Sequence, residues 1–299
     1  IGDALGFPVQ FIPRETVQKD PVIGMGKCRT FESPSGIWSD DTSLSLCLAD
    51  SLCFGYNLQD IASKFIEWLF EGLWTPNNKA FDIGITTMQA ISNLRNRIEP
   101  KFVGLNGEKD NGNGSLMRIA PLIPYIYGLV EEQQIQIISE VSSLTHRHPR
   151  SILACIFLCK FAIQYLATKE IPTAFAYTQK EIKYLLTQEK FKNECSHFDR
   201  LVNLTYEQFR NIAENDIKST GYVIDTLEAS LWSVFNHDSF KDSVLCAVNL
   251  GYDADTVGAI TGALAGIIYG HDSIPEEWLN VLARKEDIIE LANKLDSVN

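Results

Sequence analysis

The sequence predicts an all-α fold, a single compact many-helix bundle occupying residues 1–299 as one domain. Three observations carry this reading. Apolar residues recur at i, i+3, i+4 and i+7 through most of the chain, the spacing that gathers them on one face of a helix. Convincing period-two alternation, the mark of a half-buried strand, is absent, and only the first 38 residues are ambiguous. No internal repeat or low-complexity linker divides the chain, and a hydrophobic content of 45% is ample for a sizeable core.

The elements follow in order. In "NLQDIASKFIEWLFEGLW" the residues Ile61, Phe65, Trp68, Leu69 and Gly72 share a face, with Asn57 as the N-cap. Helical stretches follow over 82–97, 114–127, 131–144, 150–168, 173–190 and 197–213. Pro149 suits the first helical position of its stretch, where a missing N–H costs nothing, and places His148 near the N-cap. Val223, Leu227, Leu231 and Val234 line one face in "GYVIDTLEASLWSVF", and 240–250, 256–270 and 285–297 complete the set. Gly258, Gly262, Gly266 and Gly270 recur at every fourth position. Glycine inside a helix costs about 1 kcal/mol against alanine, so the stripe needs a reason. A smooth surface that admits another backbone closely is the expected one.

Charge and cysteine usage narrow the function classes. A formal charge of −12, from 26 basic and 38 acidic residues, argues against nucleic acid or an anionic membrane as partner. The 7 cysteines show no paired spacing and sit among apolar positions, which reads as buried thiols in a reducing, cytoplasmic compartment. No signal peptide is visible, and the start at Ile1 implies preceding residues. The longest uncharged apolar run, 256–270, is shorter than the ~20 residues of a membrane span.

Two short acidic segments stand out: "SDDT" at 39–42 and "DADT" at 253–256. Each is an oxygen-rich turn feeding a helix, and each alone also reads as an acidic N-cap favoured by the helix dipole. Together they supply Asp40, Asp41, Asp253 and Asp255, and four carboxylates gathered in one fold need cations. Hard oxygen donors without thiolate or imidazole favour Mg²⁺ or Mn²⁺ over zinc. A third segment, "KDNGNGSLMRIAPL", carries Asp110, Gly112 and Gly114 ahead of a helix expected to begin near Ser115. Exposed amides at such a start suit phosphate, although an ordinary Asn-Gly turn looks the same. The fourth, "THRHPRS", offers His146 and His148, which lack a third ligand at zinc spacing; a helix cap plus one ligand-facing histidine fits better.

In this order, "GDALG", "SDDT", "GNGSLMRIAPL", "THRHP" and "GYDADTVGAITGALAGIIYG" closely resemble the ADP-ribosylglycohydrolase family. The bacterial type that removes ADP-ribose from arginine of dinitrogenase reductase is the nearest pattern, and "GYVIDTLEASLW" strengthens it. The resemblance implies an all-α fold and two divalent cations held between the acidic loops. It places Ser39, Asp40 and Asp41 as metal ligands from the first loop, serine standing where threonine is usual. Asp253, Asp255 and Thr256 would supply the second. The substrate would be the ADP-ribose moiety of an ADP-ribosylated protein, cleaved at the distal ribose by a monomeric enzyme. Gly112, Asn113, Gly114 and Ser115 would cradle phosphate with help from His146, and Tyr222 would line the mouth of the site. Asp110 would act as general base or orient the leaving guanidinium, and Asp41 would share in catalysis.

The chain departs from the family at Gln10, in "GDALGFPVQF", where a glutamate is expected. An amide keeps the hydrogen-bonding shape but cannot accept a proton. Asp110 is then the carboxylate expected to serve. Other readings are a hydrolase of a different ADP-ribose linkage (serine, O-acetyl, nucleic acid or a small guanidine), a catalytically weak ADP-ribose binder, or a structural protein on the same fold.

Overall fold

Asn57 starts a helix where its side chain predicts one. Its carbonyl oxygen accepts from the amides of Gln59 at 3.0 Å and Asp60 at 3.2 Å. The computed structural model describes residues 1–29 and 33–298, so residues 30–32, within the ambiguous opening stretch, lie outside the described residues. Along the chain run α1 (Gly2–Gly6), α2 (Asp40–Leu52), α3 (Leu58–Glu71), α4 (Ile85–Arg95), α5 (Glu131–Ser143) and α6 (Pro149–Thr168). There follow α7 (Ile171–Leu185), α8 (Val223–Phe235), α9 (Phe240–Asn249), α10 (Ala254–Tyr269) and α11 (Lys285–Asp296), with short helices between them. Among the described residues no strand forms; the only ladder-like pairings are isolated bridges, Leu105 with His146 and Gly112 with Tyr222. The fold is all-α, as the periodicity predicts.

Helix α6 is the centre of the core. Pro149 occupies its first turn and the His148 ring nitrogen Nδ1 accepts from the Arg150 amide at 3.2 Å. By length and composition α6 could cross a membrane, yet 78% of its most apolar window is buried inside the protein, against α5, α7 and α8. Lys160 interrupts its apolar run in the sequence. Inside the fold that lysine pairs with Glu181 at 3.1 Å and donates to Gln134 at 2.9 Å.

Two predicted helices are corrected. The stretch 114–127 is helical only over Leu122–Ile126; residues 114–118 form turns. The Arg118 guanidinium donates to the Gly114 carbonyl, the acceptor its own amide would need in a helix, and Pro121 has no N–H for Met117. The stretch 197–213 splits into Asp199–Asn203 and Tyr206–Arg210 because Thr205 and Gln208 form a capping box that starts a new helix.

The glycine stripe of α10 meets α1. A Cβ on Gly2 would lie 1.8 Å from the Gly258 carbonyl oxygen, and one on Gly258 would lie 2.6 Å from that of Gly2. Backbones this close exclude any side chain. Gly266 has nothing within 4 Å of a Cβ position, so contact does not explain it. The two positions should therefore answer with opposite signs. Gly258→Ala is expected to destabilise by about 1–3 kcal/mol through overpacking, whereas Gly266→Ala should stabilise by up to about 1 kcal/mol. Urea denaturation midpoints check both.

Candidate metal centre and active-site cleft

The close α1–α10 contact determines where the acidic loops meet. Asp3, on α1, accepts from the Ser39 amide at 2.9 Å, the Thr42 amide at 3.0 Å and the Thr42 hydroxyl at 2.6 Å. A carboxylate from elsewhere in the chain thus serves the free amides at the start of α2. Ser39 caps the same helix from within, accepting from the Asp41 amide at 3.3 Å and donating to Asp41 Oδ2 at 2.8 Å. Across the gap, the Asp255 side chain accepts from the Thr256 amide at 2.9 Å, and the Thr256 hydroxyl lies 3.5 Å from Asp41 Oδ2.

Three buried carboxylates converge: single oxygens of Asp3, Asp41 and Asp255 lie within 4.8 Å of one another. Asp41 Oδ1 and Asp255 Oδ2 are buried without a hydrogen-bond partner, as are Asp82 Oδ2 and Gln10 Oε1 beside them. Buried oxygens normally find a donor, so this set is short of positive charge rather than of acceptors. Burial, followed by the neighbouring carboxylates, pushes Asp40 and Asp255 well above the ordinary carboxylate range. Asp41 moves the same way for the same reasons, and Asp3, Asp82 and Asp253 rise chiefly through burial. The donor set is all hard oxygen and fits divalent cations of the Mg²⁺ or Mn²⁺ kind.

All of these residues but Asp3 line one end of a cleft of about 530 Å³, where Asp40, Asp41, Asp253, Asp255 and Thr256 come together. The glycine loop forms another wall through Gly112, Asn113 and Gly114. It is held by bridges on either side: the Asn113 amide donates to the Gly221 carbonyl at 3.0 Å and the Val223 amide to that of Asn111 at 3.1 Å. The Asn113 side chain reaches Asp253 and, at 2.9 Å, Thr226, tying the glycine loop to the second acidic loop. His146 lines the cleft with its Nδ1 paired to the Thr145 hydroxyl at 2.8 Å. Burial and the nearby Arg118 push its pKa down to about 3, so at neutral pH it is an uncharged ring, not a cation for phosphate.

Three expected site residues stand off the cleft. Ser115 is fully buried, accepting from Ser142 at 3.0 Å, and Ser39 acts through Asp41. Tyr222 is half-buried beside the cleft, its hydroxyl 3.0 Å from His197 and its ring 5.9 Å from the Arg150 guanidinium. Asp110 lines the rim and accepts from the Gly107 amide at 2.8 Å.

Asp82 is the residue that motif reading misses. It lines the cleft in a left-handed backbone conformation with φ 57°, sparsely populated outside glycine. One oxygen lacks a partner, and a hydrogen bond from the Gln10 amide partly offsets the burial that raises its pKa. A lone aspartate in "AFDIG" has no neighbouring acidic residue to flag it. The signal that could have found it is the Asp-x-Gly turn between two helices, opposite the paired aspartates.

Comparison with known proteins agrees with this geometry. The family model described as ADP-ribosylglycohydrolase matches residues 1–299. ADP-ribosylarginine hydrolase Tri1 of Serratia proteamaculans is 34% identical, covering 99% of this chain and 76% of that protein. The protein of the same name from Pseudomonas putida is 32% identical over 99% of this chain and 75% of its own length. The ADP-ribosyl-[dinitrogen reductase] glycohydrolase of Rhodospirillum rubrum is 28% identical over 95% and 87%. A solved structure described as an ADP-ribosylglycohydrolase-related protein complex superposes with a TM-score of 0.80 at 28% identity, covering 99% of this chain and 93% of that one.

Proposed function

The chain belongs to the ADP-ribosylglycohydrolase family, and from that premise we propose that it is a metal-dependent hydrolase that removes ADP-ribose from arginine on a modified protein. The observation that carries the chemistry is the pair of partnerless buried oxygens on Asp41 and Asp255, two carboxylates from separate loops that converge with Asp3. The arginine linkage is supported by the names of the two bacterial relatives at 34% and 32% identity. They share more residues with this chain than the dinitrogen-reductase enzyme does, so the target is read as ADP-ribosyl-arginine without that one protein. Residues 1–299 act as one domain and one cytoplasmic monomer in this reading.

Asp40, Asp41, Asp253, Asp255 and Thr256 would hold two divalent cations, with Ser39 and Asp3 orienting the first loop. Bound there, such cations would neutralise the cluster and would supply Lewis-acid chemistry that activates water and favours the ribose hydroxyls. The remaining work falls to the chain itself. Glycosidic cleavage builds oxocarbenium character at the anomeric carbon, and a water attacks one face. In this reading the free Asp82 oxygen would take that water's proton, and Asp110 on the rim would orient the departing guanidinium. Gln10 donates to Asp82 and holds its carboxylate in place. The Gly112 and Gly114 amides would supply hydrogen bonds to the pyrophosphate, the Asn113 amide being taken by Gly221, and neutral His146 would offer one further donor or acceptor.

Release of ADP-ribose from matched arginine-, serine- and acetyl-linked substrates, with and without magnesium or manganese, tests the proposal. Arginine-linked substrate is expected to turn over fastest. Turnover of the serine-linked substrate alone would overturn the assignment, and tight ADP-ribose binding without any turnover would favour a binder.

The glycine loop gives a separate expected outcome. A Cβ on Gly114 would lie 2.8 Å from His146 Cε1 and 3.0 Å from the Thr87 hydroxyl. Gly114→Val should therefore push the loop out of place and weaken ADP-ribose binding about tenfold or more, the worth of one charge-assisted hydrogen bond. Calorimetric titration of a variant with unchanged helical circular dichroism checks it. Undiminished affinity would place the phosphates elsewhere.

A further inference from the structure

A cleft proposed to receive a dianion is lined by Asp40, Asp41, Asp82, Asp110, Asp253 and Asp255, and His146 beside them is held neutral. Among the described residues Lys109 is the only lysine or arginine that lines it. On the ADP-ribose reading above, which this inference rests on, we propose that Lys109 is a substrate-binding and specificity-determining residue whose ammonium engages the pyrophosphate.

The loop around Lys109 is secured at nearly every other position. The Leu105 amide donates to the Thr145 carbonyl at 3.0 Å, and its own carbonyl accepts from the Arg147 amide at 2.7 Å. The Gly107 amide is taken by Asp110. Glu108 pairs with Arg150 at 2.7 Å and lies 3.5 Å from His148. Arg150 is itself buried and fixed by Glu194 at 2.8 Å. Asn111 donates to the Glu108 carbonyl at 3.0 Å and accepts from Ser151 at 3.1 Å. Gly112 is bridged to Tyr222.

Between these anchors the Lys109 side chain makes no ion pair or hydrogen bond among the described residues, not even with adjacent Asp110, and it borders the cleft. An exposed lysine on a slack loop would be solvation and nothing more. A loop pinned by a buried arginine on one side and a bridge on the other presents its lysine from a fixed backbone, which lowers the entropy lost on binding. Uncharged glycine-loop amides could hold a phosphate without it, but they carry no full charge, and the cations are engaged by the acidic cluster. Lys109 adds one full positive charge of the protein's own at the rim and favours ligands that carry phosphate over those that do not.

Calorimetric titration of ADP-ribose and of adenosine into wild type, Lys109→Gln and Lys109→Arg, in magnesium buffer, tests this. At about 50 mM salt Lys109→Gln should weaken ADP-ribose binding about 10–100-fold, the worth of one charge-assisted hydrogen bond. Lys109→Arg should retain most of the affinity, adenosine should bind all three alike, and the loss should shrink at about 500 mM salt. Equal ADP-ribose affinity of wild type and Lys109→Gln at low salt overturns the role of Lys109 and leaves the proposed function standing. A wild type that does not bind ADP-ribose overturns both. A loss for Lys109→Gln that falls equally on adenosine also overturns it, because a displaced loop would do that and a missing charge would not.

Discussion

Asp255→Asn is expected to abolish turnover while making the metal-free protein more stable. The loss should be at least about 10²-fold, because cation stabilisation worth several kcal/mol is removed and each 1.4 kcal/mol is tenfold. The stability gain follows from the partnerless buried oxygen of Asp255, a carboxylate that converges with Asp41 and Asp3. An amide removes the repulsion and should add about 1–3 kcal/mol. Chelation of wild type should likewise stop turnover, and magnesium or manganese should restore it and raise the melting temperature. The pH dependence has a definite sign. Asp40, Asp41 and Asp255 have folded-state pKa values raised above the unfolded value, so the stability linked to them is fully present below that unfolded value, 3.8. It is lost as pH climbs from there through the raised folded values. Metal-free protein should therefore melt lower at pH 7 than at pH 5, and bound cations should reduce that slope. Thermal scans with chelator and with magnesium read both effects. Full activity after rigorous metal removal would sink the two-cation reading.

Asp82→Asn is expected to cost about 10²–10⁴ in the hydrolytic step, the usual contribution of a positioned general base. Asp110→Asn should cost less and act more on KM, since Asp110 sits at the rim with one oxygen already taken by the Gly107 amide. The family resemblance, and not the loop by itself, is what favours Asp110, which stands before the Asn-Gly loop. Burial favours Asp82, with its free oxygen, its Gln10 hydrogen bond and its strained backbone beside the metal loops. Gln10→Glu should bring little gain in rate, because it adds another carboxylate to a crowded cluster instead of a missing base. Its expected signature is an acid limb of the pH–rate profile shifted upward, as the new charge raises the Asp82 pKa. Single-turnover hydrolysis of ADP-ribosyl-arginine by the three variants decides. A severe Asp110→Asn with a mild Asp82→Asn would return the base to the rim.

Much of this was legible without coordinates. Asn57 and His148 cap helices because a side-chain acceptor and the amides it serves lie within a few residues. Helical stripes predict α3, α5 and α8 to within about two residues at most of their ends, which is the ordinary scatter of helix termini. The acidic pairs in "SDDT" and "DADT", taken together, pointed to a candidate cation site, although each alone also reads as an N-cap. Where prediction failed, a distant group had intervened. Arg118 bonds the Gly114 and Val141 carbonyls, the latter at 3.2 Å, and the helix expected over 114–127 gives way to turns.

What the sequence by itself determined is therefore the all-α class, most helix boundaries and the chemistry of the two loops, because caps, periodicity and charge act over a few residues. Only the tertiary structure decided which carboxylates share a site. Asp3 reaches Ser39 across 36 positions and Thr256 reaches Asp41 across 215, through a backbone contact that glycine alone permits. Asp82 joins them with no motif of its own, and Ser39 and Ser115 turn inward from the cleft. Whether a carboxylate is an exposed cap or a ligand short of positive charge depends on what burial leaves unpaired, and burial is a property of the assembled helices.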